Sequence, residues 1–171
     1  MKKNIALIGF MGAGKTLIGQ ILAQRLQMDF LDTDTVIEKE LQTPVPQIFA
    51  EKGEPWFRQK EKETVRKLAT LENSVIATGG GVVLDPENIG ALRENALIVC
   101  LSARPEVICE RLKKDTGRPL LAGEDLLIKI NTILAERREK YRCADFYLDT
   151  SGVTPQEAAE EIIRFRQGRS S

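Results

Sequence analysis

Near its amino terminus the chain reads Gly9-Phe10-Met11-Gly12-Ala13-Gly14-Lys15-Thr16. This stretch fits the pattern G-x-x-x-x-G-K-[ST], whose glycines let backbone N–H groups come close to the oxygens of a bound triphosphate. The apolar run Ile5–Phe10 leads into it, and Lys15–Gln27 follows with apolar residues on one helical face. A strand before the loop and a helix after it are the context in which this motif binds phosphate. We therefore predict that Lys15 reaches the β and γ phosphates of a nucleotide and that the Thr16 hydroxyl ligates Mg²⁺.

Beyond this loop, short apolar runs alternate with longer segments of helical period. Strands are predicted at Ile5–Phe10, Phe30–Leu31, Val75–Thr78, Ala96–Leu101 and Phe146–Leu148. Helices are predicted at Lys15–Gln27, Thr35–Leu41, Val45–Lys52, Pro55–Thr70, Pro86–Glu94, Pro105–Lys114, Glu124–Tyr141 and Pro155–Arg166. This alternation indicates an α/β fold in which a five-stranded parallel sheet is covered by helices on both faces. The length of 171 residues fits one domain, spanning residues 1–171.

The balance of charges bears on the partners of the chain. Lysine and arginine together number 25, as do aspartate and glutamate, so the formal net charge is zero. A nucleic-acid or membrane-surface partner usually shows as a basic excess, so we expect neither. No window reaches the roughly 18 apolar residues of a membrane-spanning helix, and no small-residue cleavage site of a signal peptide follows the amino terminus. These features predict a cytoplasmic protein.

Two residue types limit the chemistry that the chain can perform. Histidine is absent, which excludes Ser-His and Cys-His catalysis and a His-ligated zinc site. The three cysteines, Cys100, Cys109 and Cys143, lack CxxC spacing and are expected to be reduced thiols. The chemistry must therefore use carboxylates, Lys, Arg, hydroxyls and backbone groups.

A pair of carboxylates follows the second predicted strand, in Asp32-Thr33-Asp34. Ligands bind at the carboxyl ends of parallel strands, so we expect Asp32 to face the water shell of the metal and Asp34 to face an acceptor hydroxyl. The alternative is a helix start, with Thr35 and Glu38 as a capping box. Behind a phosphate loop we favour the functional interpretation, because phosphoryl transfer requires both metal and nucleophile to be positioned.

Glycines and arginines supply further candidates. Gly79-Gly80-Gly81 ends the third predicted strand, where the absence of side chains lets a ligand lie against backbone N–H groups. The alternative for these glycines is a plain flexible turn. Arg58, one turn before Glu61, is placed to grip a substrate carboxylate while Glu61 holds its guanidinium group. The alternative for this pair is a surface ion pair, which contributes little stability.

One charged stretch breaks the alternation of strands and helices. It covers residues 113–123 with Gly and Pro at its boundaries, and it predicts a mobile lid at about residues 112–124. An arginine in such a lid, here Arg118, can enter the site and stabilise the charge of the transferring phosphate; a solvated loop charge is the alternative. In Arg137-Arg138-Glu139-Lys140-Tyr141, spacing alone does not separate a site residue from a solvated helix face.

In combination, these motifs make the chain resemble the shikimate kinase family over essentially its full length. The resemblance rests on the phosphate loop and on Asp32-Thr33-Asp34, Gly53-Glu54…Phe57-Arg58…Glu61, Gly79-Gly80-Gly81, Arg118-Pro119-Leu120-Leu121, Arg137…Tyr141 and Asp149-Thr150…Pro155. The phosphate loop is common to many NTPases, whereas the joint occurrence of the other motifs in this order is specific. The resemblance implies a P-loop NTPase fold with a small helical substrate-binding region at about residues 33–61. It also implies that ATP, with Mg²⁺, phosphorylates the 3-hydroxyl of shikimate in aromatic amino-acid biosynthesis, and we expect a monomer.

The resemblance also implies roles for residues on the nucleotide side. The implied catalytic residues are Lys15, Asp34 and Arg118. The implied nucleotide contacts are Gly12, Ala13, Gly14, Lys15, Thr16, Leu17, Arg111, Arg118 and Pro155. Adenine is expected between Arg111 and the Thr154-Pro155 segment. The implied metal ligands are Thr16 and, through water, Asp32.

On the acceptor side, the resemblance implies a set of contacts to shikimate itself. The implied substrate-binding residues are Asp34, Arg58, Gly79, Gly80, Gly81 and Arg137. Asp34 binds the accepting hydroxyl, Arg58 and Arg137 clamp the carboxylate, and Gly80 contacts the ring through its backbone.

A few positions depart from the family pattern. Pro44 and Pro46 lie where family members run a smoother turn into a helix, Arg138 stands beside Arg137, and Val153 replaces a polar or basic residue near adenine.

Other kinds of protein share parts of the pattern, and a gluconate-type kinase is the nearest alternative enzyme. A GTPase switch is disfavoured because the guanine-reading N-K-x-D motif is absent, and a non-catalytic nucleotide-binding module because the key motif residues are all present.

Overall fold

The structure, a computed structural model, describes residues 2–114 and 126–169. The strands are β1 (Asn4–Ile8), β2 (Asp29–Asp32), β3 (Ser74–Ala77), β4 (Ala96–Ser102) and β5 (Phe146–Asp149). The helices are α1 (Lys15–Leu26), α2 (Thr33–Leu41), α3 (Val45–Lys52), α4 (Glu54–Ala69), α5 (Pro86–Asn95), α6 (Pro105–Lys114), α7 (Leu126–Arg137) and α8 (Pro155–Gly168). Short 3₁₀ turns lie at Val82–Leu84 and Lys140–Cys143.

The strands form one parallel sheet with the order β2-β3-β1-β4-β5. β1 lies at its centre, and every residue of β1 is buried. Strands that are covered on both faces consist of near-continuous apolar residues, which is why β1, β3 and β4 stand out in the sequence. The predicted α/β fold with a five-stranded parallel sheet flanked by helices is confirmed.

One polar residue fixes the start of the central strand. Asn4 is fully buried, and its side-chain amide donates to the carbonyl oxygen of Leu71 at 2.6 Å. Its side-chain oxygen accepts from the backbone N–H of Ser74 at 2.9 Å. Because a buried amide must have its hydrogen bonds satisfied, Asn4 holds the start of β1 against the start of β3. The carboxyl ends of both strands then meet at the same edge of the sheet.

Helices cover both faces of the sheet. On one face α1 packs against α8 over a core that includes Leu7, Leu22 and Ile162. On the other face α4 packs against α5 over a core that includes Ile76 and Leu92. In the part of the chain that the structure describes, no helix is long and apolar enough to cross a membrane. The cysteines are free thiols, as predicted.

Two smaller cores lie towards the carboxyl edge of the sheet. One joins α6 and α7 beneath Phe10, the residue that follows β1 and Gly9. The other joins α2, α3 and the start of α4 through Ile37, Ile48 and Phe57. The second core makes these three helices a packed unit beside the phosphate loop.

Several element boundaries differ from the predicted ones. Helix α2 begins at Thr33 and not at the predicted Thr35, because Asp32 is its N-cap. The alternative capping box of Thr35 and Glu38 therefore does not start this helix. Helix α7 ends at Arg137, four residues before the predicted end, and a 3₁₀ turn follows. Of the predicted lid, residues 112–114 belong to α6, and its remainder, with Arg118, lies outside the described residues.

The two prolines that depart from the family pattern fit their local structure. Pro44 is the N-cap of α3, with φ of −62°, and Pro46 lies in the first turn. Proline is well tolerated in the first turn because its missing N–H would have no partner inside the helix there. The prolines therefore start α3 rather than interrupt it.

Gly19 of α1 packs closely against the sheet, whereas Gly90 of α5 faces open space, so a change to alanine should affect stability in opposite directions at these two positions. A Cβ at Gly19 would lie 2.6 Å from Cε2 of Phe30, whereas a Cβ at Gly90 would meet nothing within 4 Å. We expect Gly19→Ala to lower the free energy of unfolding by about 1–3 kcal/mol through overpacking. Gly90→Ala, its matched control in α5, should raise that free energy by about 0.4–1 kcal/mol. Urea unfolding of both variants measures the difference, and equal effects would contradict this packing.

Candidate active site

The carboxyl ends of the strands surround a cleft of about 420 Å³. Its walls come from the phosphate loop after β1, from the acidic pair at the end of β2 and from the glycines after β3. Arg111 and Leu112 of α6 close a further side. The sheet order explains this assembly. The connection from β1 runs to β2 on one side of β1, and the connection from β3 crosses to β4 on its other side, which is where ligands bind in open parallel sheets.

The phosphate loop has the backbone that its glycines predict. Gly12 and Gly14 have φ of 79° and 101°, in a region that residues with a Cβ rarely adopt. Gly14 is the N-cap of α1, so the positive end of that helix faces the cleft. The Lys15 ammonium group donates to the carbonyl oxygens of Gly9 at 2.6 Å and Phe10 at 3.0 Å. These bonds place a positive charge across the loop that is predicted to hold the phosphates.

Thr16 and Asp32 form the part of the cleft that suits a magnesium ion. The Thr16 hydroxyl donates to Oδ2 of Asp32 at 3.1 Å, while Oδ1 of Asp32 accepts from the backbone N–H groups of Asp34 and Thr35. Asp32 is thus both a helix cap and a neighbour of the predicted metal ligand. Mg²⁺ is usually held by one or two protein oxygens together with phosphates and several waters. A hydroxyl beside a carboxylate fits that requirement.

The end of β2 and the glycine loop after β3 are joined directly. The hydroxyl oxygen of Thr33, a buried residue, accepts from the backbone N–H of Gly79 at 3.0 Å. A Cβ at Gly79 would lie 2.9 Å from Oδ1 of Asp34 and 3.0 Å from Oε2 of Glu61. The glycine is therefore required for two carboxylates to reach the same side of this loop. Thr33 was not among the predicted site residues, and its place between two aspartates was the only sequence signal.

Arg58 is held in place beside the last glycine of the same loop. Its Nη1 donates to Oε1 of Glu61 at 2.9 Å, and its Nε and Nη2 donate to Glu54 at 3.3 Å. Glu61 is only 1% exposed, so this is no surface ion pair. A Cβ at Gly81 would lie 2.3 Å from Nη1 of Arg58. The space left by the glycine is filled by the protein's own guanidinium group.

Burial of Glu61 predicts a particular dependence of stability on pH. Burial raises the pKa of the Glu61 carboxyl above its ordinary 4.5, although Arg58 acts in the opposite direction. The folded state then keeps this proton to a higher pH than the unfolded chain does, so stability falls as pH rises from about 4.5 through the raised pKa.

The variant Glu61→Gln removes this titration and provides the test. We expect the wild type to lose stability relative to Glu61→Gln as the pH of urea unfolding rises from 4 to 8. Comparing the two proteins cancels the carboxyls whose pKa is lowered, such as Asp85 and Asp149. If the stability of the wild type instead rises relative to that of the variant over this pH range, the stated direction of the pKa shift is wrong.

The structure distinguishes Arg137 from Arg138. Nη1 of Arg137 donates to the carbonyl oxygen of Gly80 at 2.9 Å, and the Tyr141 hydroxyl donates to the same oxygen at 3.4 Å. Burial raises the pKa of the Tyr141 hydroxyl above its ordinary value, although the nearby Arg137 acts in the opposite direction. Arg138, by contrast, is exposed. The guanidinium group of Arg137 therefore lies at Gly80, the middle glycine of the loop. That of Arg58 lies beside Gly81, the last one.

Arg111 connects the phosphate loop to the segment after β5. Its Nη1 donates to the carbonyl oxygen of Gly12 at 2.9 Å and to the Thr150 hydroxyl at 3.0 Å, and its Nη2 donates to the carbonyl oxygen of Thr150 at 2.9 Å. Pro155 begins α8 behind a capping box of Thr154 and Glu157. Val153 packs against the core that α1 and α8 share, which accounts for an apolar residue there. Thr150 belongs to one of the motifs that carry the resemblance but was not predicted as a site residue.

The remaining predicted nucleotide contacts have different surroundings. Leu17 is 52% exposed on α1 and lines the cleft together with Gly12 and Gly14. Ala13 is fully buried, so it can reach a nucleotide only through its backbone. Arg118 lies outside the described residues.

Comparisons with known proteins agree with these features. The family model described as shikimate kinase matches residues 11–167. A shikimate kinase of Caldanaerobacter subterraneus subsp. tengcongensis is 51% identical over 162 residues, covering 95% of each chain, and one of Pelotomaculum thermopropionicum is 50% identical over 163 residues, again covering 95% of each. The solved structure of a shikimate kinase from Acinetobacter baumannii in complex with shikimate is 33% identical. It superposes with a TM-score of 0.93, covering 98% of this chain and 94% of that one. The chain therefore belongs to the shikimate kinase family.

Proposed function

We propose that the cleft between the phosphate loop and Gly79–Gly81 is the place where this chain transfers the γ-phosphoryl group of ATP to the 3-hydroxyl of shikimate. The chain is an ATP-dependent kinase that uses Mg²⁺ and yields shikimate 3-phosphate and ADP, in aromatic amino-acid biosynthesis. We infer the part that each residue of the cleft takes in that reaction from its position and its contacts.

One observation carries the assignment of the acceptor side. The three-residue glycine loop brings a carboxylate and two guanidinium groups together: Asp34 approaches Gly79, Arg137 bonds to the carbonyl oxygen of Gly80, and Arg58 occupies the space beside Gly81. Shikimate has one carboxylate and several hydroxyls on a ring. A pair of arginines matches the carboxylate and a single aspartate matches a hydroxyl, so the loop is complementary to both ends of the molecule.

On the nucleotide side, Lys15 supplies a positive charge to the β and γ phosphates. This charge has most effect as the phosphoryl group moves, because charge then develops on the oxygens that Lys15 faces. Thr16 would hold Mg²⁺ directly and Asp32 through a water molecule, and the bound ion would neutralise phosphate charge. The backbone of Gly12, Ala13 and Gly14 supplies the remaining phosphate contacts, with Leu17 beside them.

Asp34 is the residue that we assign to the accepting hydroxyl. It accepts a hydrogen bond from the 3-hydroxyl, orients an oxygen lone pair towards the γ phosphorus and takes the proton as the new O–P bond forms and the bond to ADP breaks. Placing this carboxylate on the first residues of α2 fixes it relative to Thr16, because Asp32 joins both. On the basis of the family resemblance, we assign to Arg118 the role of stabilising the charge on the transferring phosphoryl group.

We assign residues 1–171 to one kinase domain, with a substrate-binding region at about residues 33–61 and a lid at about 112–124. The separate small core of Ile37, Ile48 and Phe57 supports the substrate-binding region. The adenine is assigned to the space between Arg111 and Pro155. We also propose that the protein is a cytoplasmic monomer. The equal numbers of basic and acidic residues support the absence of a nucleic-acid or membrane-surface partner.

A panel of acceptors tests the proposed specificity. ADP release should be followed by a coupled assay with ATP, Mg²⁺ and either shikimate, gluconate or no acceptor. We expect turnover with shikimate alone and slow hydrolysis without an acceptor. Turnover of gluconate but not of shikimate would contradict the assignment of the acceptor side and leave the nucleotide side intact.

A further inference from the structure

Thr150 is a buried hydroxyl that no step of the proposed reaction uses. It follows β5 directly, is 2% exposed, and its backbone N–H donates to the carbonyl oxygen of Ser102 at 2.8 Å. Its side chain lies away from the acceptor side, against the outer surface of the phosphate loop. A buried hydroxyl in a short connecting segment requires an explanation in terms of its partners.

The hydroxyl oxygen of Thr150 has three polar neighbours. The carbonyl oxygens of Ala13 and Ser102 lie at 2.9 Å and 3.0 Å, and Nη1 of Arg111 lies at 3.0 Å. A hydroxyl has one proton to donate and can accept at its lone pairs. Arg111 must be the donor to this oxygen, so the Thr150 proton is shared between the two carbonyls. The carbonyl oxygen of Ser102 accepts from the Thr150 backbone N–H as well as from its hydroxyl. The carbonyl oxygen of Ala13 is joined to Thr150 only through the Thr150 hydroxyl.

The carbonyl of Ala13 matters because it belongs to the peptide that carries the Gly14 N–H. In a planar trans peptide the carbonyl and the N–H point in opposite directions. Holding the Ala13 oxygen towards Thr150 therefore directs the Gly14 N–H to the other side of the loop, where Gly14 lines the cleft. Gly14 has φ of 101°, and glycine opposes rotation of the adjoining peptide less than other residues do. A bond from outside the loop is a simple way to prevent that rotation.

We propose that Thr150 is a positioning residue for phosphoryl transfer, whose hydroxyl fixes the Ala13–Gly14 peptide so that the Gly14 N–H faces the nucleotide phosphates. The inference rests on the proposed function, because it requires the loop to bind ATP. Arg111 completes the device by bonding to the carbonyl of Gly12 and to both oxygens of Thr150. The segment that leads to Pro155 is thereby tied to the phosphate loop at two consecutive carbonyls.

Three variants separate this role from a general effect on folding. Thr150→Val removes the hydroxyl but keeps the branched shape, and Thr150→Ser keeps the hydroxyl. Ser151→Ala is the matched control, because it removes the next hydroxyl. The described partners of that hydroxyl are the backbone N–H of Arg104 at 2.7 Å and the Asp149 side chain, not the phosphate loop. Thr150→Ala serves if the valine variant does not fold.

We expect Thr150→Val to raise the KM for ATP about tenfold and to leave the KM for shikimate within about twofold of the wild type. Calorimetry should show the same tenfold loss for inorganic tripolyphosphate, with adenosine binding unchanged. Thr150→Ser should restore wild-type values, and Ser151→Ala should match the wild type.

The proposal is overturned if Thr150→Val binds tripolyphosphate normally, if it weakens ATP and shikimate equally, or if serine fails to restore ATP binding. Equal losses for adenosine and tripolyphosphate would place Thr150 with the base instead and also overturn it. Wild-type turnover of shikimate is measured beside these titrations. If it is absent, the proposed function fails, while the binding comparison among the Thr150 variants still decides whether Thr150 positions the loop.

Discussion

Lys15→Ala should lower kcat by about 10³-fold or more while the protein remains folded. The ammonium group lies at the start of α1 and bonds to the carbonyl oxygens of Gly9 and Phe10, so it is fixed across the phosphate loop before any nucleotide arrives. A preorganised charge stabilises the transition state without first reorienting water. Alanine removes that charge from the phosphates and leaves the glycine backbone of the loop in place.

The experiment requires a measure of folding beside the rate. Circular dichroism and thermal unfolding should show the wild-type fold in Lys15→Ala, because the sheet and both helical layers are untouched. Lys67→Ala, an exposed lysine of α4, is the matched control and should retain the wild-type rate. A folded Lys15→Ala variant with a near-normal kcat would remove the phosphate loop from the mechanism.

Arg58→Ala and Arg137→Ala should each raise the KM for shikimate by roughly 30-fold to several thousand-fold, with far smaller effects on the KM for ATP. Each loses one partner of a charge-assisted pair in a partly buried site, and such losses cost about 2–5 kcal/mol. Arg58→Ala also leaves Glu61 buried without its guanidinium partner, so this variant should be less stable than Arg137→Ala.

The neighbour of Arg137 provides the control for this pair of variants. Arg138 is exposed, and Arg138→Ala should leave both KM values unchanged. Arg58→Lys keeps the charge of Arg58 but lacks its planar fork, so it should recover only part of the affinity for shikimate. Equal losses of ATP and shikimate affinity in Arg137→Ala would move that arginine to the nucleotide site.

Much of the fold could be predicted because its signals are local. The runs that form β1, β3 and β4 are apolar since both faces of a central parallel strand are buried, and the phosphate loop marks the turn between β1 and α1. The ends of the elements were harder to predict. Asp32 caps α2, which moved the helix start to Thr33, and the charge run after Arg137 contains a 3₁₀ turn that helical periodicity does not reveal.

From the sequence, only those candidate site residues could be predicted whose residue type and motif suggest a role. Sequence patterns made the lysine, the aspartates and the arginines candidates for the site. Spacing did not choose between Arg137 and Arg138, which differ in exposure in the structure. The three glycines were expected to admit a ligand, whereas two of them make room for Asp34, Glu61 and Arg58. Thr33 and Thr150 bond to backbone groups far away in the sequence, and such partners depend on the tertiary fold.

The most direct test of the proposed reaction is to identify its product with the wild-type enzyme. The enzyme should be incubated with ATP, Mg²⁺ and shikimate, and the mixture examined by ³¹P and proton NMR, with Lys15→Ala in parallel. We predict equal amounts of ADP and of a phosphomonoester whose phosphorus couples to the proton on C3 of shikimate, and no product from the variant. Phosphate on another hydroxyl, or release of inorganic phosphate with shikimate unchanged, would contradict the assignment of this cleft.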